Sequence, residues 1–174
     1  LLSELIYFFN TIEIENFGEK EIEKLFKLGY TTPSSILNIT YKQLFVLDGW
    51  GEKSIEKLFK QFNALKSDGL PLANLMQALN LFDGKLGKKL SQKIFDEYKG
   101  NDDFSDSDVL VKLTEIDGVS DITANYFIVA YRTYYNKYSD FPIPIKYIKT
   151  PQQKILGNKY EGFAVCMTGF RDAV

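Results

Sequence analysis

The sequence predicts an all-α protein in which four helix–turn–helix units pack as two pairs over residues 1–138. Two observations predict this fold: a four-fold repeat of small-residue turns, and amphipathic helical periodicity on both sides of each turn. The chain has 174 residues, which is enough for one large domain or two small ones, each with its own core.

The turns recur as four aligned segments of the chain. Each holds a small or polar residue, an apolar residue and then glycine (serine in the fourth copy), followed by a helix-forming run. The segments are IENFGEKEI at 14–22, LDGWGEKSI at 47–55, DGKLGKKLS at 83–91 and IDGVSDITA at 116–124. The last small residue falls at 18, 51, 87 and 120, so successive copies are 33, 36 and 33 residues apart. Such even spacing indicates a repeated structural unit.

Apolar residues at helical spacing predict one helix before and one after each turn. The helices before the turns are expected at 2–9, 41–47, 71–81 and 107–116, and those after the turns at 21–28, 54–62, 88–98 and 124–138. Thr32 followed by Pro33 predicts one more helix start, because proline is favoured in the first turn of a helix. The last helix carries an aromatic stripe, for which burial in the core is expected and base stacking is the alternative: Phe127, Tyr131, Tyr134, Tyr135 and Tyr138.

Composition excludes several kinds of chemistry. The absence of histidine excludes histidine-based acid–base catalysis and histidine-liganded metal sites. A single cysteine, Cys166, excludes disulfides within the chain and cysteine zinc sites. The formal net charge of −2 gives no overall electrostatic case for nucleic acid. Because the sequence contains neither a transmembrane stretch nor a signal peptide, we expect a reduced intracellular compartment and no membrane partner.

The turns are candidate phosphate-binding sites. The first amides of a helix lack intrahelical partners and lie at the positive end of the helix dipole, where they attract anions. Glycine permits positive φ and, having no Cβ, lets a phosphate approach the backbone closely. A lysine follows two residues after the glycine in three copies, where it can act as a point charge. The apolar residue inside each turn (17, 50, 86 and 119) is expected to point inward as an anchor.

The four copies are not equivalent. Asn16 replaces the leading glycine of the first copy and tolerates the left-handed region, whereas the third copy has extra residues at 82–84 and is the most basic, with Lys93 nearby. The fourth copy has Ser120 in place of glycine and two flanking carboxylates, at 117 and 121, so we expect it to be mainly structural. No catalytic or metal-binding residue is predicted. The predicted DNA-binding residues are Asn16, Gly18, Lys20, Gly49, Gly51, Lys53, Lys85, Gly87, Lys88 and Lys89.

The chain changes character after residue 138. Prolines at 142, 144 and 151 and the loss of helical periodicity predict a linker or extended connector over 139–158. The apolar run 163–167 predicts a buried strand, but residues 159–174 are too few for a core of their own. We therefore expect a truncated second domain here. The start at Leu1, without methionine, likewise suggests a piece of a longer protein.

These residues resemble the four helix–hairpin–helix motifs of the bacterial-type NAD-dependent DNA ligases. Residues 71–79 (PLANLMQAL) are similar to the segment before the third hairpin of that family, and residues 113–116 (LTEI) to the lead-in of the fourth. Residues 161–172 (EGFAVCMTGFRD) resemble the first strand and Thr-Gly turn of a BRCT domain, which follows the hairpins in these ligases. The resemblance covers nearly the whole chain.

The resemblance implies a parent enzyme that seals nicks in duplex DNA through an adenylated lysine, with NAD as adenylate donor and a divalent cation. This chain departs from the family in two ways: it has no Lys-x-Asp-Gly motif, the nearest string being LFDG at 81–84, and it lacks the four-cysteine zinc module. We therefore expect a non-catalytic region without a cofactor of its own, which grips nicked duplex DNA beside a catalytic part in the same or a separate chain. The expected location is the bacterial or viral nucleoid or replicating DNA, in the cytoplasm. The alternatives are the hairpin module of another repair or recombination factor, and a protein-interaction scaffold.

Overall fold

The computed structural model describes residues 1–45, 49–98, 104 and 108–146. Within these ranges the protein is mostly helical, as an all-α fold requires, and its β structure there is an isolated parallel bridge between Leu70 and Ile145. None of the described helices is long and apolar enough to cross a membrane. The helices are α1 (Leu2–Thr11), α2 (Glu19–Lys27), α3 (Pro33–Leu37), α4 (Tyr41–Phe45), α5 (Glu52–Asp68), α6 (Leu72–Ala78), α7 (Lys88–Glu97), α8 (Val109–Thr114) and α9 (Asp121–Tyr138).

Some of the sequence predictions concern residues outside the described ranges. These are the second part of the predicted linker, at 147–158, and the predicted BRCT start at 159–174 with its strand at 163–167. Residues 46–48, just before Gly49, are also outside.

Local sequence signals account for the helix ends. α3 begins at the predicted place, where Thr32 Oγ1 accepts a hydrogen bond from Ser35 N–H at 3.1 Å and Ser35 Oγ accepts one from Thr32 N–H at 3.2 Å. α5 continues past its predicted end at residue 62 until Gly69, which has a φ of +70°. α6 ends at Ala78, earlier than predicted, because Asn80 takes the left-handed conformation with a φ of +52°.

Helices that flank the same turn pack against each other. The contacting pairs are α1 with α2, α4 with α5, α6 with α7 and α8 with α9. Contacts of α6 with α1 and with α9 join three of these pairs, and the fourth, α4 with α5, is joined to α1 through the rings of Phe62 and Phe9, so the helices form one helical body. Aromatic rings fill much of its core: Phe17 lies edge-on to Phe9 and to Phe62, at ring-centroid distances of 4.9 and 5.7 Å.

Three of the five aromatic side chains of the α9 stripe face the core; Tyr138 is half-buried, and the predicted burial is wrong at Tyr135, which is 43% exposed because it lies on the outer side of the helix. Phe127, Tyr131 and Tyr134 are 0%, 6% and 2% exposed, which confirms the predicted burial at these positions. The Phe127 ring lies 5.0 Å from the rings of both Phe95 and Phe104. These three side chains therefore stabilise the helical body and do not stack on bases.

The first part of the predicted linker packs on the helical body as an extended connector. Ile143 is buried, and the Phe141 ring lies 5.6 Å from that of Phe8. Leu70 N–H donates to the Pro144 carbonyl at 3.0 Å, and Lys146 N–H donates to the Leu70 carbonyl at 2.8 Å. Glycine is required at position 69, because φ there is +70° and a Cβ would collide with the Pro144 carbonyl.

Candidate nucleic-acid interface

The four turns that precede α2, α5, α7 and α9 are numbered here in chain order. Turn 1 comprises residues 12–18, turn 2 residues 46–51 (of which 49–51 are described), turn 3 residues 79–87 and turn 4 residues 115–120. In turns 1, 2 and 4 a residue with positive φ stands two positions before the cap of the following helix. These residues are Asn16 (+58°), Gly49 (+83°) and Gly118 (+86°). Asparagine therefore replaces glycine in the left-handed region, as expected from the sequence.

The second small residue of each turn has an ordinary extended backbone. Gly18, Gly51 and Gly87 cap the following helices with φ values of −98°, −75° and −76°, which any residue can adopt. A Cβ built on Gly51 or Gly87 meets no atom of the described residues within 4 Å. Turn 4 carries a side chain at the same position, Ser120, with a φ of −86°. Neither backbone conformation nor the packing seen in the described part of the chain requires glycine at 51 or 87.

Turn 3 has a different shape because of its extra residues. Lys85 N–H donates to the Phe82 carbonyl at 2.8 Å, and the two residues between them, Asp83 and Gly84, have φ values of +49° and +68°. Positive φ at both central residues is the requirement of a type I′ turn. The left-handed glycine therefore lies three positions before the cap residue Gly87, instead of two.

The apolar residue inside each turn is an anchor, as predicted. Phe17, Leu86 and Val119 are buried. Trp50 is half-buried, and its ring lies 6.2 Å from that of Phe17. Turns 1 and 2 are therefore adjacent, and they share one aromatic contact.

The turns differ in whether a side chain accepts a hydrogen bond from one of the first backbone N–H groups. In turn 1, Gly18 N–H donates to Glu21 Oε2 at 3.2 Å, and after turn 4, Thr123 N–H donates to Ser120 Oγ at 3.2 Å. Three exposed N–H groups at each of turns 2 and 3 have no acceptor in the described part of the chain: those of residues 51–53 and of residues 87–89. No side chain of the described residues caps α5 or α7, so an anion at turn 2 or turn 3 meets no competing side-chain acceptor there.

Four of the predicted lysines are exposed and have no carboxylate within ion-pair distance in the described part of the chain: Lys20, Lys53, Lys88 and Lys89. Lys85 is engaged within the protein, because its Nζ lies 3.4 Å from Asp83 Oδ2 and 4.6 Å from the centroid of the Tyr126 ring. Lys93, which the sequence places near the basic third turn, donates instead to the Asp117 carbonyl in turn 4 at 2.6 Å.

Turn 4 presents negative charge. The carboxylate of Asp117 is fully exposed, and Asp121 lies in the first turn of α9. Asp117 Oδ2 lies 3.4 Å from Lys93 Nζ, so Asp121 is the carboxylate of the two that has no ion pair in the described part of the chain, and its charge repels an approaching phosphate. These positions fit the mainly structural role expected of the fourth copy.

Sequence reasoning missed the side chains that connect neighbouring turns. Gln61 of α5 bonds to the backbone of Glu15 in turn 1, and Lys93 of α7 bonds to Asp117 in turn 4. One signal was present: a lysine lies six residues after the cap glycine in three copies, at Lys24, Lys57 and Lys93, although this spacing does not show which of them reaches a neighbouring turn. Gln61 has no counterpart of the same type in the other copies, so the aligned copies gave no sign of it.

The chain is similar over its whole length to two curated viral proteins. An alignment of 182 residues with "DNA ligase" of Acanthamoeba polyphaga mimivirus has 30% identity and covers 99% of this chain and 28% of that protein. A second alignment, of 176 residues with "Putative DNA ligase 205R" of Invertebrate iridescent virus 6, has 25% identity and covers 99% of this chain and 27% of the relative. No family model and no solved structure matches the chain. The chain thus spans little more than a quarter of the length of these relatives, and by sequence it is related to viral DNA ligases.

Proposed function

We propose that this chain is a non-catalytic DNA-binding region of a DNA ligase, which holds the phosphate backbone of nicked duplex DNA without sequence specificity. The observation that carries this proposal is the pair of cap glycines at 51 and 87, which stand beside free amides and free lysines although nothing described in the structure requires glycine there. The relation to viral DNA ligases supplies the class of ligand, since the substrate of a ligase is a nicked duplex.

A phosphate explains the two glycines. A Cβ at Gly51 or Gly87 would extend into solvent, where an anion bound to the helix N-terminus must approach the backbone. Lys53 and Lys89 each lie two residues further on, in the first turn of α5 and of α7, and can contact the same or the next phosphate. Amide and ammonium contacts to phosphate position a protein on DNA but carry no sequence information, which supports binding to any sequence.

The four turns carry unequal shares of this binding. Turns 2 and 3 are proposed as the main contacts, and turn 1 as a weaker one, because Glu21 competes with phosphate for Gly18 N–H. Turn 4 contributes structure. Each of the two turn pairs therefore supplies one strong contact, so the helical body grips the duplex at two separated points.

We further propose that the four turns are helix–hairpin–helix motifs and that the parent ligase is of the NAD-dependent type. The order of four turns, a proline-containing connector and a BRCT-like segment at 161–172 supports this. Adenylation by NAD with a divalent cation would then belong to a catalytic part in the same or a separate chain. Nick sealing by the parent ligase with NAD, and none with ATP, is the expected result. Sealing with ATP alone would contradict the NAD-dependent assignment.

The central experiment measures binding of a nicked duplex at several salt concentrations. If the four free lysines each neutralise one phosphate, log K falls against log salt with a slope of about −3.6, at about −0.9 per phosphate. Charge reversal at two turns, Lys53→Glu with Lys89→Glu, is expected to abolish binding at physiological salt. Failure of the unaltered chain to bind DNA at low salt would overturn the proposal.

The matched control reverses the charge of two exposed lysines that lie away from the turns. Lys27 and Lys60 lie seven residues beyond Lys20 and Lys53, which places them on the same helix faces about 10 Å further from the turns. The double variant Lys27→Glu with Lys60→Glu has the same net charge as the turn variant. An equal loss of affinity in both variants would mean that only overall charge matters, and unchanged affinity in the turn variant would favour a protein-interaction scaffold.

A further inference from the structure

Two lysines occupy equivalent positions in the two halves of the helical body. The spacing of the copies places turn 3 of the repeat 69 residues after turn 1, and turn 4 the same distance after turn 2. Lys24 and Lys93 are related by this 69-residue step, as are the left-handed glycines Gly49 and Gly118. A contact between such a lysine and the following turn is therefore expected to occur twice.

The contact in the second half involves Lys93 and Asp117. Lys93 Nζ donates to the Asp117 carbonyl at 2.6 Å and lies 3.4 Å from its carboxylate, while Glu97 Oε1 lies 4.0 Å away. The Lys93 side chain is 32% exposed. Its ammonium group thus connects α7 to the residue immediately before the left-handed Gly118, and hydrogen bonds from a charged donor are stronger than neutral ones.

In the first half the lysine also lies close to the following turn. A Cβ built on Gly49 lies 3.2 Å from Lys24 Nζ, so the ammonium group of α2 lies against turn 2. Glycine suits this position because φ is +83°, and a Cβ would also require a slight shift of the flexible end of the Lys24 side chain. In both halves a lysine of the helix after one turn therefore lies close to the next turn: Lys24 beside Gly49, and Lys93 bonded to Asp117, the residue before Gly118.

We propose that Lys24 and Lys93 are positioning residues that hold the following turn of their pair in its left-handed conformation. The turn directs the first amides of the helix that it precedes, so Lys24 sets the orientation of the free amides of residues 51–53. Lys93 does the same for turn 4, where it stabilises structure. The consequence for DNA affinity at Lys24 rests on the proposed function, whereas the effect on the turns themselves does not.

The first test measures backbone hydrogen exchange without DNA. Val119 N–H donates to the Ile116 carbonyl at 3.0 Å within turn 4, so its exchange rate reports whether the turn is closed. Lys93→Met is expected to speed this exchange about three- to tenfold, and Lys93→Arg to keep the rate near that of the unaltered chain. Lys89→Met, on the same helix, is the control and leaves the rate unchanged. Equal rates in Lys93→Met and the unaltered chain would overturn the positioning role.

The second test separates positioning from direct contact with phosphate at Lys24. Lys24→Met is expected to weaken binding of a nicked duplex several-fold while the slope of log K against log salt stays the same, and Lys24→Arg is expected to restore affinity. A lysine that contacts phosphate would instead lower the slope by about 0.9 when it is removed. Lys27→Met, three residues further along α2, removes the same charge as a control.

The outcomes distinguish this inference from the proposed function. A lower slope, or unchanged affinity in Lys24→Met, would overturn the role of Lys24 while DNA binding stands. If the unaltered chain does not bind DNA, the proposed function fails, and the exchange rate of Val119 still decides whether the lysine of α7 holds its turn.

Discussion

Gln61 exchanges two hydrogen bonds with the backbone of Glu15. Its Oε1 accepts from Glu15 N–H at 2.8 Å, and its Nε2 donates to the Glu15 carbonyl at 3.1 Å. The two residues are 46 positions apart, and the side-chain amide of α5 satisfies both polar groups of one residue in turn 1. Lys24 of α2 lies close to Gly49 of turn 2, so the second helix of each of the first two units places a side chain beside the turn of the other.

The first prediction concerns this amide. Gln61→Ala removes both hydrogen bonds and is expected to lower the free energy of unfolding by about 1–3 kcal/mol, at roughly 0.5–1.5 kcal/mol for each bond. Gln92→Ala is the control, because Gln92 bonds only to Asp96 on its own helix in the described structure, and such a pair contributes less than about 0.5 kcal/mol. Urea unfolding measures both variants, and equal losses would show that the Gln61 contact adds nothing.

The helices could be predicted from sequence because their determinants are local. Apolar periodicity, Pro33 after Thr32 and the repeated glycines all act within a few residues, and the predicted helices are present. The predicted ends of α5 and α6 were wrong, because each helix ends near a residue with positive φ: Gly69 after α5 and Asn80 after α6. Their backbone angles follow from how the next segment packs, which local sequence does not specify.

Contacts of the lysines could not be predicted, because they depend on tertiary structure. Lys85 and Lys89 both belong to the basic third copy, and sequence alone does not distinguish them. Lys85 lies over the ring of Tyr126, which is distant along the chain, whereas Lys89 is exposed without such a partner in the described structure. Lys93 was likewise placed with the basic third turn, and its bond to Asp117 requires that turns 3 and 4 be adjacent. Sequence thus located the turns, and packing determined which cations remain free.

A second prediction tests the aromatic core beside turn 1. Phe62 is 1% exposed and its ring packs on those of Phe9 and Phe17, so Phe62→Ala is expected to lower the free energy of unfolding by about 3–5 kcal/mol. Phe45→Ala is the matched control, because Phe45 is 55% exposed and its removal leaves no buried cavity. We expect a loss below about 1 kcal/mol for the control, measured by chemical denaturation. Similar losses for the two variants would contradict the packing described for turn 1.

A third prediction concerns the left-handed backbone at Asn16. Asn16→Gly is expected to leave the free energy of unfolding unchanged within about 0.5 kcal/mol, because φ there is +58° and glycine adopts it without penalty. Asn16→Val places a β-branched side chain in the same conformation and is expected to cost about 1–2 kcal/mol. Thermal unfolding of the two variants gives the comparison. Equal stability of the valine and glycine variants would mean that turn 1 does not need a left-handed residue.

The last prediction separates the two kinds of glycine in this chain. Gly51→Ala and Gly87→Ala have extended φ values and open space in the described structure, so each is expected to change the free energy of unfolding by less than about 1 kcal/mol, because the lower entropy of the unfolded chain offsets the preference of an N-cap for glycine over alanine. Gly69→Ala combines a positive φ with a collision at the Pro144 carbonyl, so it is expected to destabilise the protein by more than about 1 kcal/mol.

The effects of these variants on DNA affinity are expected to be the reverse of their effects on stability. The added methyl group at 51 or 87 occupies the space that a phosphate needs, so each variant weakens binding of nicked duplex about tenfold although its fold is intact. The fraction of the Gly69→Ala variant that remains folded, as judged by circular dichroism, is expected to bind DNA with normal affinity. Its defect lies in the connector, away from the turns. If Gly51→Ala and Gly87→Ala bind DNA as well as the unaltered chain, phosphates do not approach these amides, and the DNA contact must be sought elsewhere on the helical body.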